Sequence, residues 1–215
     1  MLTISNLSYS YGDNKVLNYI DLEANDGDII CIKGQNGAGK TTLMNLMSGI
    51  LELEDENLLV DIMNKKIFFH QLKDYIAFIP SNPTFYEYLT GRENAKMILN
   101  MWKSEEVKFN KNFENLVDLL NMGDYVDTQV NSYSLGMRYK MFFACMLSLE
   151  RNILLLDEPL NSMDKEGQEM AIKQIEEHVV KENRCVIFSS HSETLVKKLA
   201  NKIYILNKGK LYKES

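Results

Sequence analysis

The stretch Gly34-Gln35-Asn36-Gly37-Ala38-Gly39-Lys40-Thr41-Thr42 fits the pattern G-x-x-x-x-G-K-[ST] at every position. Its glycines let the backbone turn tightly, so that successive N–H groups can point at one anion. Lys40 adds a mobile positive charge suited to β- and γ-phosphates, and the Thr41 hydroxyl is an oxygen ligand of the kind Mg²⁺ takes. Much later, Ile153-Leu154-Leu155-Leu156 runs into Asp157 and Glu158. Four aliphatic residues ending in two acids describe a buried parallel strand, with two buried carboxylates at its C-terminal end. Ligands of open α/β sheets bind at that end. Asp157 is placed to hold Mg²⁺, directly or through water. Glu158 is placed to accept a proton from a water attacking the γ-phosphate, which is general-base work. Ser189-Ser190-His191-Ser192 lies beyond another buried strand, where His191 can hydrogen-bond a γ-phosphate and sense its loss. Together these residues point to binding and hydrolysis of a nucleoside triphosphate.

Positioning them requires an α/β chain. Alternation of apolar and polar residues predicts strands over 2–7 and 16–24, with Tyr11-Gly12-Asp13-Asn14 as the turn between them. Tyr9 and Tyr11 are both candidate platforms for a stacked base, and Tyr11, at the turn, is the better placed. A strand over 28–33 leads into the glycine loop. The helix expected over 40–48 turns its positive N-terminal end toward the phosphates. Shorter strands are expected at 58–62, 66–69 and 75–79, before Pro80-Ser81-Asn82-Pro83 breaks the pattern. From Thr90 the apolar spacing becomes helical, around 93–99, at 113–122 and at 135–149. A helical segment of about 84–150 therefore interrupts the α/β chain. The α/β pattern resumes with strands at 152–156 and 184–189, helices at 165–180 and 193–200, and a closing hairpin of 202–207 and 210–213 around Lys208-Gly209.

The 215 residues can bury a full core and suggest one domain, 1–215. A net charge of -6 argues against a nucleic-acid-binding surface. Cys31, Cys145 and Cys185 stand far apart in apolar runs, as reduced core thiols do. The first residues lack a basic n-region, so no signal peptide is expected. No apolar run approaches the ~20 residues that span a bilayer.

The motifs, taken in order, resemble the nucleotide-binding domain of ATP-binding-cassette (ABC) transporters over essentially the whole chain. The phosphate loop and the Ile153–Glu158 motif flank Tyr133-Ser134-Leu135-Gly136-Met137-Arg138, which resembles the family signature LSGGQ. Leu160-Asn161-Ser162-Met163-Asp164 resembles the D-loop, His191 matches the switch histidine, and Tyr11 falls at the family's adenine-stacking aromatic. The resemblance implies a P-loop NTPase fold with a RecA-like core. An antiparallel β subdomain joins the core at about 1–83 and 151–215, and a helical subdomain is inserted at about 84–150. It further implies that two such domains pair head to tail, as a homodimer or heterodimer. ATP would lie between Asn36, Gly37, Ala38, Gly39, Lys40, Thr41 and Thr42 of one copy and Ser134, Gly136 and Asp164 of the other, with Mg²⁺ as cofactor. Ser134 is also a good N-cap, so the helix it opens offers N–H groups to an anion.

Tyr133, Leu135 and Met137 replace the usual Leu, Gly and Gln of the signature, and the Tyr and Met variants look like those of exporters with separate membrane subunits. Where the family has its Q-loop glutamine, this chain has Ser81, so metal and water positioning is expected from Ser81 on a loop that moves closer, from Ser81 through a bridging water, or from Asn82. The function expected from the resemblance is an ATPase subunit that powers a separate transmembrane permease, exporting a peptide, drug or lipid. It would sit peripherally on the cytoplasmic face of the cell membrane. The alternative is a nucleotide-gated regulatory subunit of a membrane complex that does not drive transport, although no built-in regulatory domain is expected because no residues follow Ser215.

Overall fold

The computed structural model describes residues 1–160, 162–181 and 183–214. The chain opens with β1 (Leu2–Tyr11) and β2 (Asn14–Ala24), then β3 (Ile29–Lys33), α1 (Lys40–Met47), β4 (Leu59–Ile62), β5 (Lys65–Phe68) and β6 (Ile76–Ile79). The helical segment follows as α2 (Gly91–Trp102), α3 (Glu106–Leu119) and α4 (Leu135–Ser148). The chain ends with β7 (Ile153–Leu156), α5 (Lys165–Val180), β8 (Cys185–Ser189), α6 (Glu193–Leu199), β9 (Lys202–Asn207) and β10 (Lys210–Lys213).

The strands form two sheets. A six-stranded sheet runs in the order β10-β9-β3-β8-β7-β6, parallel except for the β9–β10 hairpin. A four-stranded antiparallel sheet has the order β2-β1-β4-β5, so the first two strands leave the main sheet and form a layer of their own. Although the strands β3, β6, β7 and β8 read as continuous apolar runs, their side chains still alternate between two cores. Cys31, Ile79, Leu154, Leu156, Val186 and Phe188 pack toward the helical segment. Ile30, Ile32, Phe78, Leu155, Cys185 and Ile187 pack toward α1 and the antiparallel sheet. Both faces are covered, as a parallel sheet requires.

Strand register is what aligns the chemistry. Ile79 pairs with Leu156, and Leu156 pairs with Phe188. Ser81, Asp157 and Ser189 therefore emerge together at one sheet edge, beside the loop that follows β3. The Asp157 N–H adds one more rung by donating to the Ile79 carbonyl at 2.9 Å.

Several boundaries differ from the sequence reading. The antiparallel strands extend to Tyr11 and from Asn14, which tightens the turn to Gly12-Asp13. The strand expected to include Phe69 ends at Phe68, and Phe69–Tyr75 forms a 3-10 helix whose Phe69 and Leu72 are buried. The helix expected at 113–122 begins at Glu106, because Phe109 lies one turn before Phe113 and its ring stacks on it, the two centroids 6.0 Å apart. Helix α2 starts with a reciprocal cap: the Thr90 hydroxyl accepts the Glu93 N–H, and Glu93 accepts the Thr90 N–H. Buried Asn94 accepts the Tyr86 N–H and donates to the Tyr86, Leu89 and Thr90 carbonyls, knotting the preceding loop onto α2.

Candidate functional site

The phosphate loop is shaped by two left-handed glycines, Gly37 (φ 78°) and Gly39 (φ 105°). Gly34 meets a different demand: a Cβ there would lie 2.5 Å from the Leu206 carbonyl oxygen of β9. The loop thus runs tight against the sheet before it turns into α1. Gly39 caps α1 without a side chain, so the first-turn N–H groups face the cleft.

Lys40 is 7% exposed. Its Nζ donates to the Gly34 carbonyl at 2.8 Å and to the Gln35 carbonyl at 3.3 Å, and lies 3.2 Å from His191 Nε2. The Thr41 hydroxyl donates to Asp157 Oδ2 at 2.8 Å. Asp157 is 3% exposed, and such burial of a carboxylate is tolerable only with hydrogen-bond partners. Glu158 departs from the sequence reading of two buried acids, since its side chain is 23% exposed. The cause is its backbone: φ of 49° places it in the left-handed region, so the chain leaves the line of β7 and the carboxylate swings out over the cleft. There Oε1 stands 3.2 Å from His191 Nε2. His191 therefore contacts Lys40 and Glu158 together, which links the ends of β8 and β7 to the loop.

These groups line one open cleft of about 460 Å³ with Tyr11, Asn36, Gly37, Gly39, Thr42 and Ser81. Tyr11 is half exposed at the rim and meets Tyr9 edge to face, with centroids 5.0 Å apart. Ala38 lies within the loop, its N–H donating to the Gln35 carbonyl at 3.1 Å. Ser81 and Asn82 are both exposed at the end of β6. Among the described residues no three His, Cys, Asp or Glu side chains group to hold a metal. Mg²⁺ needs no such group, because it binds through one or two protein oxygens plus water and substrate phosphate. The Thr41–Asp157 oxygen pair fits that demand.

The other expected contacts lie elsewhere. Ser134 is exposed and caps α4, its Oγ accepting the Met137 N–H at 3.3 Å. Gly136 approaches the D-loop closely, since a Cβ there would lie 2.7 Å from the Ser162 carbonyl oxygen. The carboxylate of Asp164, a residue expected on the nucleotide, caps α5 through the Gly167 N–H and pairs with Lys140 of α4 at 2.8 Å. Asn161, also in the expected D-loop, lies outside the described residues. The cleft thus gathers the loop, both acids, His191, Tyr11 and Ser81, but not Ser134, Gly136 or Asp164. Sequence reasoning missed Lys140, which joins the signature helix to the D-loop, and Ser189, whose hydroxyl touches both acids.

A family model described as ABC transporter matches residues 17–161. The uncharacterized ABC transporter ATP-binding protein YdbJ of Bacillus subtilis is 30% identical over 214 residues, spanning 100% of this chain and 68% of that protein. The bacitracin transport ATP-binding protein BcrA of Enterococcus faecalis is 30% identical over 218 residues, with the same coverage of each. A sulfate/thiosulfate import ATP-binding protein, CysA of Thermosynechococcus vestitus, matches at 26% over 98% of this chain and 62% of its own length. Among solved structures, a dimeric ATP-binding cassette in a post-hydrolysis state with ADP and Pi superposes with a TM-score of 0.83. It shares 19% identity and covers 100% of this chain and 98% of that one.

Lys40→Ala is expected to abolish ATP binding in a fluorescent-nucleotide titration, because the loop loses the charge that neutralises the phosphates. Glu158→Gln is expected to bind ATP normally yet lose ~10²- to 10⁴-fold in turnover, since an amide cannot take the proton. Turnover at the wild-type rate in Glu158→Gln would remove Glu158 as the base. Ser81 retains a lone-pair oxygen but lacks a glutamine's reach, and a poorly aligned nucleophile costs up to ~10²-fold in rate. Ser81→Gln should therefore raise basal kcat, whereas Asn82→Ala lowers it only if Asn82 positions the water. Equal kcat in all three proteins, with and without a membrane partner, would leave this loop without a positioning role.

Proposed function

The chain belongs to the ABC transporter ATP-binding family, and on that premise we propose that two copies, or this chain and a similar one, share two ATP sites and drive a separate membrane permease. The observation that carries the proposal is the division of the site. Lys40, Thr41, Asp157, Glu158 and His191 gather in one cleft, while Ser134 and Gly136 stand outside it on an exposed helix start. A helix N-terminus suits a γ-phosphate, and a head-to-tail pairing would bring it to the other copy's cleft. That the structural neighbour is a dimer supports a pairing of two copies.

In the proposed cycle Lys40 and the loop amides hold the β- and γ-phosphates, and Tyr11 stacks on the base. Thr41 and Asp157 would hold Mg²⁺, which when bound neutralises charge building on the phosphate oxygens. Glu158 accepts the proton of the attacking water, and His191, in reach of Glu158, bonds the γ-phosphate from the β8 side. Loss of that phosphate removes what joins the two copies, giving the two states that transport needs.

No helix among the described residues is long and apolar enough to cross a membrane. In the proposed reading the permease is a separate partner, and this chain sits against it on the cytoplasmic face. A groove of about 400 Å³ lined by Phe85, Tyr86, Met97, Met101, Trp102 and Phe142 is the surface proposed for it. Phe85 is anchored edge to face on Phe142, 5.4 Å between centroids, whereas Tyr86 is exposed at the rim. Aromatic and methionine-rich grooves of this kind receive amphipathic helices. Tyr88 is exposed and outside the groove. Export of a peptide, drug or lipid is the proposed direction; the relatives include a bacitracin transport protein at 30% and an import protein at 26%. The exposed Ser81 favours slow turnover and so the second reading, a nucleotide-gated regulatory subunit; Glu158 over the cleft favours hydrolysis.

A mixture of Lys40→Ala and Ser134→Arg subunits tests the shared site. Its mixed dimers contain one intact and one doubly damaged site, so ATP binding should reappear in the mixture although each mutant alone has none. No recovery would contradict the shared site. Tyr86→Ala should weaken co-purification with the co-expressed permease while leaving ATP affinity unchanged, and normal co-purification would exclude the groove as the docking surface.

A further inference from the structure

Ser189, the last residue of β8, is fully buried and touches both acids of the cleft. Its Oγ donates to Asp157 Oδ1 at 2.6 Å and accepts the Glu158 N–H at 2.8 Å. A hydroxyl has one proton and two acceptor lone pairs, so these two bonds fix its rotor. With Oδ1 held, the other Asp157 oxygen has a single direction left, and it accepts from Thr41 at 2.8 Å. The second bond holds the Glu158 amide while that residue takes its left-handed turn. A non-glycine residue adopts that conformation only where its surroundings over-determine it. Strand β8 supplies this restraint, because its register with β7 sets Phe188 beside Leu156 and brings Ser189 level with Asp157.

We propose that Ser189 is a positioning residue for ATP hydrolysis, whose hydroxyl sets both the orientation of the Asp157 carboxylate and the backbone turn that aims Glu158. It touches neither nucleotide nor metal and acts through the two acids. It also ties them to the strand that leads into His191. Aliphatic β7 side chains offer no such control, and an alanine at 189 would leave the Glu158 N–H and Asp157 Oδ1 without this partner. The inference rests on the reading of Asp157 as the acid that faces Mg²⁺.

The test compares Ser189→Ala, Ser189→Cys, Ser189→Thr and Asp157→Asn with the wild-type chain. It measures kcat, KM for ATP, Tm, binding of a fluorescent ATP analogue in EDTA, and the Mg²⁺ concentration that half-saturates the magnesium-dependent gain in Tm. Outer partners of metal ligands are worth about 10- to 100-fold in activity or metal affinity. Ser189→Ala should therefore lose about that much in kcat and need about tenfold more Mg²⁺, with metal-free binding and KM little changed. Ser189→Thr, which keeps the hydroxyl, should recover both, and Ser189→Cys, with its weak S–H donor, should fall between. Wild-type kcat and Mg²⁺ requirement in Ser189→Ala would overturn the proposal. So would a loss confined to Tm and metal-free binding, which marks simple packing. If the alanine variant does not fold, the cysteine variant decides alone: full wild-type behaviour refutes the role. An unchanged Mg²⁺ requirement in Asp157→Asn would instead refute the reading of Asp157. A raised requirement there with none in Ser189→Ala would refute only the role of Ser189.

Discussion

The hydrogen bond from Thr41 to Asp157 joins residues 116 positions apart and carries the rest of the site. A carboxylate buried this deeply is costly unless its lone pairs are met. Here Thr41 meets one oxygen, Ser189 meets the other, and the Asp157 amide is spent on Ile79. Each partner comes from a different element: α1, β8 and β6. The acid can be buried only if β6, β7 and β8 end level and the glycine loop returns α1 to the same edge. Stability of the edge and geometry of the cleft are therefore one requirement.

What was legible in the sequence was what is local in sequence. The phosphate loop needs its glycines, lysine and threonine within nine consecutive residues, and Asp157-Glu158 follow directly on four aliphatic residues. The strands β9 and β10 and helix α5 carry periodicity strong enough to show their full length. What depended on pairing between distant segments did not show. Nothing near Ser189 announces that it faces Asp157, because strand register decides it. Nothing near Asp164 announces its pairing with Lys140, which lies on another helix. Glu158 reads as buried because the apolar run precedes it, yet a single left-handed residue turns it outward. The start of α3 escaped because polar Glu106, Lys108 and Asn110 surround the one apolar contact, Phe109, that anchors its first turn.

The proposed two states draw on two parts of the chain. The cleft is held by backbone and buried polar contacts on the rigid sheet, whereas Ser134 and Gly136 belong to α4, on the helical segment. Besides their shared apolar core, the two parts meet at the loop after β7, Gly136 against the Ser162 carbonyl and Lys140 against Asp164. A movement of the helical segment would act on the loop after β7, next to Glu158. A permease seated in the Phe85–Phe142 groove would act on that same segment. Docking and hydrolysis would then be coupled by packing, with no direct contact between permease and nucleotide.

The central claim is that the γ-phosphate lies between the loop of one copy and the signature of another. Asn36 and Ser134 are both exposed, while the native Cys31, Cys145 and Cys185 are buried. Cysteines placed at positions 36 and 134 of two differently tagged copies carrying Glu158→Gln can thus be oxidised selectively. The account predicts a disulfide between the tagged copies that forms with ATP and is lost with ADP or without nucleotide. An equal yield in all three conditions, or no bond between copies in ATP, would contradict it.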